Sequence, residues 1–105
     1  MVEQIRKYNF EYKQNILNWY GINLKDISEE FGTPLFVFSL DEFIKRIRRF
    51  KENVGYGHIL CFSVKSNNNP HLIASLKNEG YGVDVVSGGE LFLARKVGIA
   101  PKNIV

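Results

Sequence analysis

Ile59-Leu60-Cys61-Phe62-Ser63-Val64-Lys65-Ser66-Asn67-Asn68-Asn69-Pro70 runs from strand formers into a lysine, a polar cluster and a proline fit to open a helix. A lysine at the carboxyl end of a buried strand is short of water. Desolvation disfavours its charged form and makes the amine a usable nucleophile. The competing reading is a side chain that snorkels out of the strand end into solvent, the ordinary fate of lysine. What the rest of the chain builds around Lys65 decides between them.

Upstream, Leu35-Phe36-Val37-Phe38 reads as a short apolar strand with Pro34 at its start, where a missing donor does least harm. Ser39-Leu40-Asp41-Glu42 is a capping box. Leu40, Phe43, Ile44, Ile47 and Phe50 then fall on one helical face, which Gly55 and Gly57 end. His58 to Val64 is the second expected strand, and Pro70 opens a helix reaching Gly80. Gly82 to Val86 is the third strand. Ser87-Gly88-Gly89-Glu90 is a second capping box, with Leu91, Ala94 and Val97 inward and Gly98 as the stop. Asn103-Ile104-Val105 begins a fourth strand, just after Pro101. Strands and helices alternating every ~20–25 residues imply βα units on a parallel sheet, hence an α/β fold. Apolar strands without alternation suit such a sheet, because both faces are covered.

The first 32 residues follow another pattern. Phe10–Lys13 and Ile16–Tyr20 flank a possible Gln14-Asn15 turn and read as a hairpin ending at Gly21. Helical spacing through Ile5, Tyr8, Tyr12, Ile16 and Trp19 competes with it. Asn23 can cap a short helix carrying Leu24, Ile27 and Phe31, with Gly32 as its stop. A two-stranded ribbon alone is barely stable in water, and the sequence offers it no partner sheet. We therefore divide the chain into residues 1–32 and 33–105.

Composition bounds the function. The chain has 105 residues, 45% hydrophobic and 24% charged, as expected of one soluble globular domain. Its net charge of +3 is too small to argue for nucleic acid. The basic run Lys45-Arg46-Ile47-Arg48-Arg49 has helical spacing and reads as a solvated helix face rather than a binding surface. Cys61 is the single cysteine, so no intramolecular disulfide exists, and a small buried hydrophobe in a reducing compartment is its expected role. No apolar run approaches the ~20 residues of a membrane span. Met1-Val2-Glu3-Gln4-Ile5-Arg6 lacks the apolar core of a signal peptide, which makes the cytoplasm the default.

In a parallel α/β fold, reactive side chains gather at the carboxyl ends of strands. Those ends carry Ser39, Lys65 with Ser66 and Asn67, and Asp84 with Ser87 to Glu90. A lysine and two acids at one rim have the form of a catalytic constellation, although charged rims also occur without chemistry. Lys65-Ser66 is not a phosphate-binding P-loop, because the preceding glycines are missing. Ser87-Gly88-Gly89 could cradle an anion with free amides, but a capping box with glycines for close packing is preferred. His58 and His71 suggest no zinc pair, and no metal is expected.

Three stretches carry a resemblance: Gly32-Thr33-Pro34-Leu35-Phe36-Val37-Phe38, Phe62-Ser63-Val64-Lys65-Ser66-Asn67, and Val83-Asp84-Val85-Val86-Ser87-Gly88-Gly89-Glu90-Leu91. In this order and spacing, from about residue 9 to residue 105, the chain resembles the amino-terminal part of the diaminopimelate decarboxylase family. That family belongs to the fold-type III pyridoxal-phosphate group, with ornithine and arginine decarboxylases and alanine racemase. The lysine motif is shared across the group, while Gly-Thr-Pro with Asp-Val-Val-Ser-Gly-Gly-Glu points to the decarboxylase branch. Phe62-Ser63 and Ser66 stand where Tyr-Ala and Ala are commoner, a change that keeps the size class.

The resemblance implies a (β/α)8 TIM barrel, here its first three βα units and the start of a fourth strand, preceded by a hairpin that belongs to a β-sandwich domain. It implies pyridoxal 5′-phosphate as cofactor, bound as a Schiff base by Lys65, with Asp84 and Glu90 near that lysine and able to hold its ammonium once released. The implied reaction is decarboxylation of meso-2,6-diaminopimelate to L-lysine, with a small amino-acid substrate and a homodimeric complete enzyme. A decarboxylase for ornithine, arginine or carboxynorspermidine, a non-catalytic pyridoxal-phosphate-binding barrel, and a fragment that acts by docking on another chain are the alternatives. A complete barrel needs about 250 residues, so the 105-residue chain is expected to be inactive alone.

Overall fold

The computed structural model describes residues 8–105. These form two compact units, one ending at Val37 and the other running Phe38–Val105. The N-terminal hexapeptide, and Ile5 of the helical alternative, lie outside the described residues.

In the first unit, strands β1 (Phe10–Lys13), β2 (Ile16–Trp19) and β3 (Ile22–Asn23) form an antiparallel sheet in that order. The hairpin reading holds, and helical spacing through Tyr12, Ile16 and Trp19 does not. Gln14 and Asn15 take φ of 50° and 63°, and Tyr20 and Gly21 take 52° and 77°. Positive φ at both central residues is what a tight two-residue hairpin of type I′ requires. The first turn sets Phe10 opposite Trp19, and their rings stack at 4.8 Å and 5°. Such a directly opposed aromatic pair stabilises the sheet register. The second turn adds β3, which the sequence reading missed. Asn23 then caps α1 (Leu24–Phe31), its Oδ1 accepting from the Lys25 and Asp26 amides at 2.8 and 3.2 Å. Gly32, at φ 80°, ends the helix as expected.

In the second unit, α2 (Leu40–Val54) starts at Ser39, whose Oγ accepts from the Glu42 amide at 3.2 Å. Strand β4 (Cys61–Ser63) follows, then a 3-10 turn over Val64–Ser66, then α3 (Pro70–Ser75), which tightens to 3-10 over Leu76–Glu79. Strand β5 (Gly82–Asp84) and α4 (Gly88–Lys96) complete the regular elements. β4 and β5 are parallel, with Cys61, Phe62 and Ser63 opposite Gly82, Val83 and Asp84. Ile104 bridges Val83, also in parallel. Consecutive extended segments are thus neighbours, as βα connections make them.

Val64, Ile73, Leu76, Val83 and Ala94 are fully inaccessible, and Ile47, Tyr81 and Ile99 close the same cluster. Both β5 and the segment beside it contribute because Gly82 has no side chain. A Cβ there would lie 2.5 Å from the Asn103 carbonyl oxygen and 3.0 Å from Cys61 Sγ. α2 is fastened to this cluster by polar groups at its edge. Tyr81 is buried and donates its hydroxyl to the Ile47 carbonyl at 2.7 Å; burial, with the nearby Glu79 charge, holds its phenol above the ordinary value. Arg48 grips Glu79 with two hydrogen bonds of 2.7 Å, and Lys51 Nζ donates to the Glu79 carbonyl at 2.7 Å. The basic run is therefore largely a helix face, as expected, with Arg48 tied across to the α3 segment.

Several expectations are corrected. Leu35–Phe38 belongs to neither sheet, and Phe36 is 86% exposed. An unbroken apolar run marks a strand only where a ladder and two covered faces receive it, and the described residues supply neither. The expected strands His58–Val64 and Gly82–Val86 shorten to three residues each, and the fourth reduces to a single bridge. Cys61 is exposed rather than buried, since β4 pairs on only one side among the described residues. Leu91 is 45% exposed. The inward stripe of α4 is Leu93, Ala94 and Val97, at helical spacing with Glu90.

Gly82→Ala is expected to destabilise the chain by roughly 1–3 kcal/mol, as overpacking does. In Gly89→Ala the new Cβ meets only Ser87 Oγ at 3.9 Å, so that change is expected to be near neutral. Denaturant titration of the two variants checks the contrast. A second expectation concerns acid. The hydrogen bonds from Arg48, followed by its charge and that of Lys51, hold the Glu79 carboxyl below its ordinary value, against the opposing effect of burial. A depressed folded-state value stabilises the fold above the unfolded value, and that contribution is lost as pH falls through the folded value. The melting temperature should therefore fall on acidification through and below the ordinary glutamate range. In Glu79→Gln it should start lower and fall less, both differences shrinking in high salt because Arg48 is largely exposed.

Candidate functional site

The site is built at the carboxyl ends of β4 and β5. After Ser63 the chain leaves the strand in a tight turn that the Asn67 amide closes on the Val64 carbonyl at 3.1 Å. Ser66 Oγ donates to the Ser63 carbonyl at 2.7 Å and braces the same turn. Val64 takes the buried position, and Lys65, one residue on, lies outside the core and is exposed. The strand-end location of Lys65 agrees with the sequence reading. Its expected desolvation does not, because the turn begins one residue too early to carry Lys65 inward.

The polar cluster that follows is consumed locally. Asn67 Oδ1 accepts from the Asn69 amide at 3.0 Å, and Asn69 Oδ1 accepts from the His71 amide at 3.0 Å, capping α3. Two successive asparagine turns thus carry the chain from Lys65 into α3. Asn-x-Asn-Pro carries that signal in the sequence, which the reading of the stretch as a polar loop passed over.

Asp84 ends β5 directly opposite Ser63, so it stands at the strand end adjacent to the one that leads into Lys65. Among the described residues, neither Lys65 Nζ nor the Asp84 carboxylate is engaged by an ion pair or a side-chain hydrogen bond. Both are available to a third group. Ser87 Oγ accepts from the Glu90 amide at 3.2 Å, forming the expected cap. Glu90 Oε2 accepts from the Val86 amide at 2.8 Å. Its reach extends one residue beyond the Ser87 cap. The structure brings Lys65 and Asp84 to neighbouring strand ends, while Glu90 is held to the loop after Asp84. Ser39, the remaining rim residue, is occupied as the cap of α2. An amine on a short braced turn, at the strand end next to one that carries a carboxylate, is a group that a carbonyl-bearing ligand could bind covalently.

Residues 40–105 match the family described as pyridoxal-dependent decarboxylase, pyridoxal binding domain. The chain belongs to that family. Its similarity to curated relatives is substantial: it is 41% identical to diaminopimelate decarboxylase of Aquifex aeolicus, over 99% of this chain and 25% of that protein. It is 38% identical to the diaminopimelate decarboxylase of Zymomonas mobilis, over 91% of this chain and 24% of that protein. Among solved structures, one from Aquifex aeolicus matches with a TM-score of 0.85 at 38% identity, over 99% of this chain and 26% of that one. Diaminopimelate decarboxylase from Methanocaldococcus jannaschii, in complex with L-lysine, matches with a TM-score of 0.70 at 32% identity, over 91% of this chain and 24% of that one. The chain spans about a quarter of the length of these relatives. Membership in the pyridoxal-binding family agrees with the α/β fold. Among the described residues, no helix is long and apolar enough to cross a membrane.

Proposed function

We propose that this chain is the lysine-bearing quarter of a diaminopimelate decarboxylase, which converts meso-2,6-diaminopimelate to L-lysine and carbon dioxide. The observation that carries the proposal is the free Lys65 amine at the β4 end, in a chain 41% identical to such an enzyme over nearly its whole length. Pyridoxal 5′-phosphate, when bound, supplies the electron sink that makes loss of carbon dioxide feasible.

Lys65 would hold the cofactor through its side-chain amine. Asp84, at the adjacent strand end, would offer a carboxylate to the side of the site where Lys65 stands. The braced Val64–Ser66 turn fixes the backbone that carries Lys65.

The parallel order of β4, β5 and Ile104, with helices between, supports a TIM barrel of which residues 33–105 supply the first part, and residues 1–32 supply strands to a β-sandwich domain. A cytoplasmic homodimer is the assembly we infer for the complete enzyme. Among the described residues β4 has an open edge that further pairing can use, and residues 1–105 alone are expected to be inactive.

The test is carbon dioxide release by the complete enzyme containing this segment, offered meso-diaminopimelate, ornithine, arginine and carboxynorspermidine in turn. Release from diaminopimelate alone, lost by several orders of magnitude in Lys65→Ala, is the expected result. Preference for another of these substrates, or undiminished activity in Lys65→Ala, would overturn it.

A further inference from the structure

Resting on the reading above, we propose that Glu90 is a positioning residue that acts through the backbone of Val86 and not by pairing its charge with Lys65. Its Oε2 accepts from the Val86 amide at 2.8 Å, and its own amide donates to Ser87 Oγ at 3.2 Å. The Leu91 amide closes on the Ser87 carbonyl at 3.0 Å, and the Val85 amide on the Val105 carbonyl at 2.9 Å. All three residues after Asp84 are therefore tied down, and Glu90 makes two of the ties. The helix that carries it is fixed by Ala94, which is fully buried one turn on. The Glu90 carboxylate forms no ion pair among the described residues.

This arrangement separates two roles by chemistry. A partner for a charged amine needs the negative charge. A brace for an amide N–H needs only an oxygen that accepts, and glutamine has one. Val86 is 63% exposed, so water can reach its amide when the carboxylate is removed. Truncation then loosens the Asp84 loop without unfolding the domain.

The experiment compares Glu90→Ala and Glu90→Gln in the complete decarboxylase, reading kcat per bound cofactor, KM, and hydrogen exchange at the Val86 amide. Glu90→Ala is expected to speed exchange at Val86 and to lower kcat by as much as about 10²-fold, the scale of a small misplacement at a reacting centre. Glu90→Gln is expected to keep the amide protected and recover most of the lost kcat. Equal losses in the two variants, with Val86 still protected in Glu90→Gln, would assign Glu90 a charge role and overturn the proposal. So would a Glu90→Ala enzyme with unchanged kcat and exchange. If Glu90→Ala fails to fold, Glu90→Gln still decides, since a protected Val86 with a large loss of kcat contradicts the brace. Activity surviving in Lys65→Ala would instead sink the cofactor-lysine reading, a separate outcome.

Discussion

The parallel pairing of β4 with β5 is the constraint on which the second unit depends. It sets Ser63 opposite Asp84, and thereby brings the exits of two strands to one edge. The pairing is shallow, three residues on each side, and survives because the core closes tightly around it. Val64 and Val83 are fully buried, and Gly82 lets the Asn103 backbone approach where any side chain would collide. A parallel pair that short has few ladder bonds of its own, so apolar burial against Ile73, Leu76 and Ala94 supplies most of its stability.

Around that core, polar groups fix the elements that apolar contact leaves free to slide. Tyr81 and Glu79 both anchor α2, one through a buried hydroxyl and the other through a two-pronged grip on Arg48. Beyond the carboxyl end of β5, the first turn of α4 and the Val105 carbonyl hold the residues after Asp84. Lys65, on the turn after β4, and Asp84, at the end of β5, thus stand on braced backbone, with side chains unengaged among the described residues.

Much of this was legible in the sequence. The alternation of βα units, the caps at Asn23, Ser39 and Ser87, and the strand-end location of Lys65 follow from local chemistry that the fold respects. What was not legible depended on long-range partners. Leu35–Phe38 has the composition of a buried strand, but composition cannot say whether a neighbour is there to pair with it. Lys65 looked buried because the strand seemed to run to Val64; the 3-10 turn starts at Val64, and one residue decides the exposure. Glu90 was read both as an acid of the rim and as the acidic end of a capping box, and that its carboxylate takes the Val86 amide, one residue before Ser87, required coordinates. The short strand β3 was hidden because two residues give no periodicity.

Borohydride reduction of the complete enzyme in the presence of pyridoxal 5′-phosphate, followed by peptide mapping, tests whether Lys65 bears the cofactor. One pyridoxyl group per subunit, located on Lys65, is the expected result. Recovery of the label on another lysine, with Lys65 unmodified, would contradict it.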